Sequence, residues 1–293
     1  MNDVREIAAR VAPKLDQGVA ECWMDFDGAQ MRYLRAGSGP ALILLHGLMG
    51  YSFSWRYTMP ALAPHHTVYA PDMLGAGFSD RPRQIDHSVR GTALRVLRFV
   101  KNLALTSFDL LGTSRGGIVA TAVAAECLRD TPKVRKLVLV CPVNPYSSHG
   151  TWLAPFFGTD LGATAFRYVI ERRPSLYPYF HSRLFGDRKN IPAGSLEGYK
   201  APLAIPGLFE HALSIVRTWS NDLQEQEELL PKLKDILTLL IWGDKDPAVY
   251  VSSMSRLAQH FSIVQKVVFP GIGHLPYEEC PEEFNRELIQ FLQ

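Results

Sequence analysis

Three residues of this chain have the types and the order that nucleophilic acyl transfer needs: Ser114, Asp246 and His274. Ser114 lies in LLGTSRGGIVAT, where an apolar run ends at Gly112 and a single serine precedes Gly116 and Gly117. Gly112-Thr113-Ser114-Arg115-Gly116 fits G-x-S-x-G, and it sits between a strand pattern, FDLL, and an alanine-rich helical one, as that motif requires. A bend that tight needs small residues two before and two after the serine. It pushes the hydroxyl out over a helix N-terminus, where backbone N–H groups favour developing negative charge. As a bare pentapeptide the motif is weak, and the competing reading is a structural turn whose serine caps the helix.

A serine nucleophile needs a base, and the base needs an orienting acid. LLIWGDKDPAV ends an apolar strand in a Gly-Asp-x-Asp loop, and FPGIGHLPYEECPEEF sets His274 on a glycine-framed loop between the last strand pattern and the last helical one. Asp246 is the expected acid. Asp244, next to Gly243, reads as a turn former and is the fallback. His65, His66, His87, His149, His181, His211 and His260 lack a glycine-framed loop after a core strand and read as surface, cap or helix residues. Two N–H donors should face a developing oxyanion. The amide of Arg115 is one, and the amide of Leu48 in LLHGLMGYSFSW is the other. His46 reads as a turn-stabilising residue.

The elements that must position these groups alternate along the chain. ECWMDF and QMRYLRA read as a hairpin joined at Asp27-Gly28. ALILL, TVYA, FDLL, KLVLV, TLLIW and VQKVVF follow as strands, the apolar ones suiting a parallel sheet covered on both faces. Helical patterns separate them: SVRGTALRVLRFVKNL, RGGIVATAVAAECLRD, VSSMSRLAQHF and PEEFNRELIQFL. This predicts a doubly wound α/β sheet. The alternation breaks over an aromatic, proline-rich stretch that ends in the helix VRTWSNDLQEQEELL. The core is therefore expected over 1–143 and 231–293, with a mainly helical cap over 144–230. Trp152, Phe156 and Phe157 of that insertion are candidates to contact an apolar substrate.

Composition excludes several classes. Lys+Arg (31) nearly balances Asp+Glu (29) over 293 residues, so no electrostatic footprint for nucleic acid is present. No apolar run is long enough for a membrane span, and the start lacks the apolar core of a signal peptide. The four cysteines are scattered and read as thiols of a reducing compartment. A cytoplasmic protein acting on a small molecule is expected, with no metal site and no cofactor, since GLMG and GAGFSD lack a lysine at P-loop spacing.

Five ordered segments, HGLMG with Trp55, PDMLGAGFSD, GTSRGG, WGDKD and GIGH, together resemble the α/β-hydrolase fold superfamily over most of the chain. The resemblance implies a mostly parallel sheet of about eight strands, with a helical cap inserted after the sixth. It also implies that the Asp72-x-x-Gly75-x-Gly77 segment shapes a turn near the site without being catalytic. Haloalkane dehalogenases and epoxide hydrolases of this fold use aspartate at the elbow, where this chain has Ser114. The epoxide hydrolases carry a proline in the HG loop, where this chain has Leu48-Met49, and the Gly-Gly-Pro-Gly loop of proline iminopeptidases is absent. Thr113 departs from the asparagine that often precedes the nucleophile in C–C bond hydrolases, and Arg115 is an unusual follower of the serine. The expectation is a serine hydrolase acting on carboxylic esters. C–C bond, lactone and thioester cleavage by the same three residues, and a ligand-binding receptor on the same fold, remain as alternatives.

Overall fold

The computed structural model describes residues 4–147, 159, 161, 162, 164, 168, 172 and 176–293. Eight strands form one sheet in the order β1-β2-β4-β3-β5-β6-β7-β8. They are β1 (Val19–Phe26), β2 (Ala29–Ala36), β3 (Ala41–Leu45), β4 (Thr67–Pro71), β5 (Ser107–Thr113), β6 (Lys133–Val140), β7 (Leu237–Gly243) and β8 (Val264–Phe269). β1 pairs antiparallel with β2, and β2 antiparallel with β4. Every pairing from β4 through to β8 is parallel. Asp27 and Gly28, with φ of 54° and 88°, close the β1–β2 hairpin in the left-handed turn that an Asp-Gly pair favours.

The patterning follows burial. All five residues of β3 and all five of β4 are buried, as expected of strands covered on both faces. β8 lies at the sheet edge, and its exposed Gln265 and Lys266 blunt the open hydrogen-bonding groups there. β5 is central, between β3 and β6, so whatever stands at its C-terminal end reaches the middle of one sheet edge, where ligands gather in this architecture.

The helices, numbered among the described residues, are α1 (Val4–Val11), α2 (Thr58–Leu62), α3 (Val89–Asn102), α4 (Arg115–Cys127), α5 (Leu176–Arg183), α6 (Ser195–Lys200), α7 (Leu208–Leu229), α8 (Met254–Ala258), α9 (Pro276–Glu279) and α10 (Pro281–Leu292). Ser88 caps α3 by accepting from the Gly91 amide at 3.0 Å. Among the described residues the chain between β6 and β7 is helical, with α5, α6 and α7 and no strand. α7 begins at Leu208, eight residues before the helix expected from the VRTWSNDLQEQEELL pattern. Gly207, at φ 94°, turns the chain into it, and the added turns bury Leu208, Leu213 and Ile215. No helix among the described residues is long and apolar enough to cross a membrane.

Candidate active site

Ser114 occupies the turn from β5 into α4 with φ 51° and ψ −121°, a sparsely populated conformation for a residue with a side chain. The flanking glycines explain how the turn closes. A Cβ on Gly112 would lie 2.2 Å from the Gly116 carbonyl oxygen, and one on Gly116 would lie 2.4 Å from that of Leu45. Three backbone hydrogen bonds hold the bend. Ser114 N–H donates to Val140 O at 2.9 Å, and Ser114 O accepts from Gly117 and Val143 at 2.9 and 3.0 Å. Among the described residues the Ser114 hydroxyl has no hydrogen-bond partner.

Asp246 and His274 come from loops that are joined backbone to backbone. Asp244 N–H donates to Phe269 O at 3.1 Å and Lys245 N–H to Ile272 O at 2.9 Å. Gly243 permits this approach, because a Cβ there would lie 2.2 Å from the Gly273 and Ile272 carbonyl oxygens. Asp244 accepts from the Gly271 amide at 2.7 Å and so acts as a loop tie. The imidazole Nδ1–H of His274 donates to Asp246 Oδ2 at 2.8 Å, with both residues buried. Asp246 Oδ1 accepts from the Ala248 and Val249 amides at 2.7 and 2.9 Å. Burial pushes the Asp246 carboxyl up, but the facing imidazole and the two amides outweigh it and leave it below the ordinary carboxylate value.

The HG loop lies against the elbow. A Cβ on Gly47 would sit 3.1 Å from Ser114 Cβ and 3.6 Å from its Oγ. The N–H groups of Leu48 and Arg115 make no hydrogen bond among the described residues. Met49, at φ 60°, turns the loop away after Leu48. His46 is buried and doubly committed. Its Nε2 accepts from the Met73 amide at 3.0 Å, so Nδ1 carries the hydrogen and donates to Gly47 O at 2.8 Å. Asp72 is fully buried and accepts from the Ser52 and Phe78 amides at 2.8 and 2.9 Å and from Arg32 at 3.2 Å. It braces a turn and has no exposed oxygen for chemistry.

Trp152, Phe156 and Phe157 lie outside the described residues. Tyr179 and Phe180 are exposed, while Tyr177 and Tyr199 join Tyr51, Phe53 and Phe78 in a separate apolar cluster beside α1.

Three contributions were not read from the chain. Glu279 accepts from the amides of Gly273 (2.8 Å), Gly186 (3.0 Å) and Asp187 (2.9 Å), pinning the residue before His274 to the insertion. His274 N–H itself donates to Leu184 O of the insertion at 2.7 Å. Glu278 forms a two-point ion pair with Arg56 at 2.9 and 2.8 Å, accepts from Ser195 of α6 at 2.8 Å and takes the Tyr199 hydroxyl. The signal was two adjacent acids in the otherwise apolar HLPYEECP, and only the fold shows what they gather. Glu278→Ala is expected to lower stability by about 3–5 kcal/mol, because it leaves a largely buried guanidinium without its counter-charge. A chemical-denaturation midpoint unchanged from the parent would refute this.

The third is Cys141, at the end of β6 with φ 44°. Its sulfur lies within 4.8 Å of an Asp246 carboxylate oxygen and a His274 ring nitrogen, the one such donor trio among the described residues. Burial pushes the thiol well above its usual range, so it stays a neutral neighbour and a poor metal ligand.

A fold with an eight-stranded, mostly parallel sheet, an elbow serine and a helical insertion after β6 defines a class. A model of the alpha/beta hydrolase fold family matches residues 40–281, and the chain belongs to that family. It is 28% identical over 281 residues to haloalkane dehalogenase 2 of Mycobacterium tuberculosis (strain ATCC 25618 / H37Rv), covering 92% of this chain and 93% of the relative. It is also 28% identical over 266 residues to 2-hydroxy-6-oxo-2,4-heptadienoate hydrolase of Pseudomonas putida, covering 87% and 90% respectively. Among solved structures, the Cif epoxide hydrolase from Acinetobacter nosocomialis is similar in fold, with a TM-score of 0.83 at 18% identity over 99% of this chain and 96% of that one.

Proposed function

We propose that this chain is a serine hydrolase acting on carboxylic esters of small to medium, largely apolar molecules. Hydrolase chemistry is supported by family membership and by the relatives above. The observation that carries the finer reading is an elbow serine with an uncommitted hydroxyl, on the same sheet edge as a His274–Asp246 pair already joined at 2.8 Å. Ser114 Oγ attacks the carbonyl while His274 Nε2 takes its proton, and Asp246 holds the tautomer that leaves Nε2 free to accept. The amides of Leu48 and Arg115 receive the tetrahedral oxyanion. His274 then returns the proton to the leaving alcohol, and water attacks the acyl-enzyme by the same route. No hydrogen bond joins Ser114 to His274 among the described residues; such contacts commonly tighten only around a substrate.

Serine at the elbow also argues against halide displacement, despite the similarity to a dehalogenase. Attack by an aspartate on a carbon–halogen bond gives an ester that water can open. Attack by a serine hydroxyl gives an alkyl ether, which has no carbonyl for water to reach, so the cycle would stop after one turnover.

A second reading, cleavage of a carbon–carbon bond beside a carbonyl, is favoured by the similarity to the heptadienoate hydrolase and uses the same residues. A fluorophosphonate probe is expected to label the protein once, on the peptide containing Ser114, as read by mass spectrometry. Failure to label that peptide would overturn both readings. Turnover of p-nitrophenyl butyrate against that of a vinylogous 1,5-diketone separates ester from carbon–carbon cleavage.

A further inference from the structure

Beside the elbow lies a cavity of about 30 Å³. It has room for roughly two water-sized groups. Leu48 of the HG loop and Ile215 of α7 supply apolar wall, and the polar residues facing it include Arg115, His87 and His211. One cavity thus touches both residues whose amides are assigned to the oxyanion.

Arg115 is out of place there by ordinary rules. It is only 4% exposed, yet no carboxylate lies within ion-pairing distance of it among the described residues. Asp222, the acid that acts on it through space, is engaged by the Val89 amide at 2.9 Å and the Thr218 hydroxyl at 2.7 Å. Both hydrogen bonds of the guanidinium leave from one nitrogen, to His87 O at 2.7 Å and to Thr92 Oγ1 at 3.4 Å. Its Nε–H is buried without a partner, and so is Nδ1 of His87.

A buried charge without an ion-paired partner is costly, and a ligand carrying the opposite charge would offset that cost. The two imidazoles supply no negative charge. They meet edge to face with centroids 4.3 Å apart, and burial together with the nearby guanidiniums pulls His211 down to about 3, so it is neutral. Burial also pulls Arg115 down, to about 10, which leaves it protonated at neutral pH.

We propose that the Arg115 guanidinium, with the buried nitrogens around it, recognises a carboxylate carried by the substrate a few bonds from the scissile carbonyl. A guanidinium edge matches the planar, two-oxygen geometry of a carboxylate, and the cavity is the size of that head group. The substrate class is then a half-ester of a short dicarboxylic acid, with apolar methylenes against Leu48 and Ile215. This rests on the hydrolase reading above, since the carboxylate is placed relative to the carbonyl at Ser114.

The test is calorimetric titration of the Ser114→Ala protein, which binds without turnover, with monomethyl glutarate and with dimethyl glutarate. The monoanion is expected to bind about 10- to 100-fold more tightly than the neutral diester, the range of a hydrogen bond to a charged group. Adding Arg115→Gln is expected to erase that preference, and adding Arg115→Lys to restore part of it. Equal binding of the two esters to Ser114→Ala overturns the proposal, and so does a preference that survives Arg115→Gln. If the Arg115 variants do not fold, as read by circular dichroism, the comparison in Ser114→Ala alone decides. Absence of ester turnover by the unaltered protein, with the carboxylate preference intact, would sink the ester reading and leave the binding site standing.

Discussion

Ser114→Ala is expected to lower kcat for p-nitrophenyl butyrate by about 10⁴-fold or more while leaving the fold intact. The loss is large because, in the proposed mechanism, the serine, the histidine and the aspartate act as one unit, and removal of the nucleophile leaves only the oxyanion donors and binding. The fold survives for a local reason. The hydroxyl has no hydrogen-bond partner among the described residues, so its removal strands no donor or acceptor. Alanine keeps the Cβ, and it takes φ 51° at a strain close to that of serine. Unfolding curves should therefore agree within about 0.5 kcal/mol. Ester turnover within tenfold of the parent, in protein shown by mass to carry the alanine, removes Ser114 from the mechanism.

Asp246→Asn should reduce kcat by about 10⁴-fold with little change in structure. The geometry leaves asparagine two choices. With its oxygen kept on the Ala248 and Val249 amides, its NH₂ faces His274 Nδ1, which must then accept. The ring hydrogen moves to Nε2, and the nitrogen that should take the serine proton no longer can. With the amide flipped, its NH₂ points at two backbone N–H donors, which costs more than the histidine contact returns. The reading is steady-state turnover beside fluorophosphonate labelling rate, and both should fall together. Unchanged labelling would show that Asp246 does not set the tautomer. The carboxylate has a linked effect on stability. Its folded pKa lies below the ordinary 3.8, so it stabilises the fold fully above about pH 4, and that contribution fades as pH falls through the lowered value.

Much of the architecture was legible because parallel sheets impose a simple code. Continuous apolar runs such as ALILL can be satisfied only by cover on both faces, and β3 is indeed buried throughout. The two-residue hairpin turn was legible because Asp-Gly accepts positive φ at low cost. The geometry of the elbow was legible because no side chain fits at Gly112 or Gly116. The beginning of α7 was not, since Leu208 to Ile215 is helical through what it buries, and its own pattern is mixed. Nor did the aromatic count of the insertion predict where its rings go. Tyr177 and Tyr199 serve a cluster with Tyr51, Phe53 and Phe78, while Tyr179 and Phe180 are exposed.

Spacing and residue type were enough to nominate Ser114, Asp246 and His274 and to order the strands that carry them, because glycine turns and apolar periods are local constraints written along the chain. The partners of Glu278 and Glu279, the closeness of Cys141 to Asp246, and the burial of Arg115 without an ion-paired carboxylate among the described residues were decided only in three dimensions. Each depends on which distant groups folding brings together, a proximity no local pattern encodes.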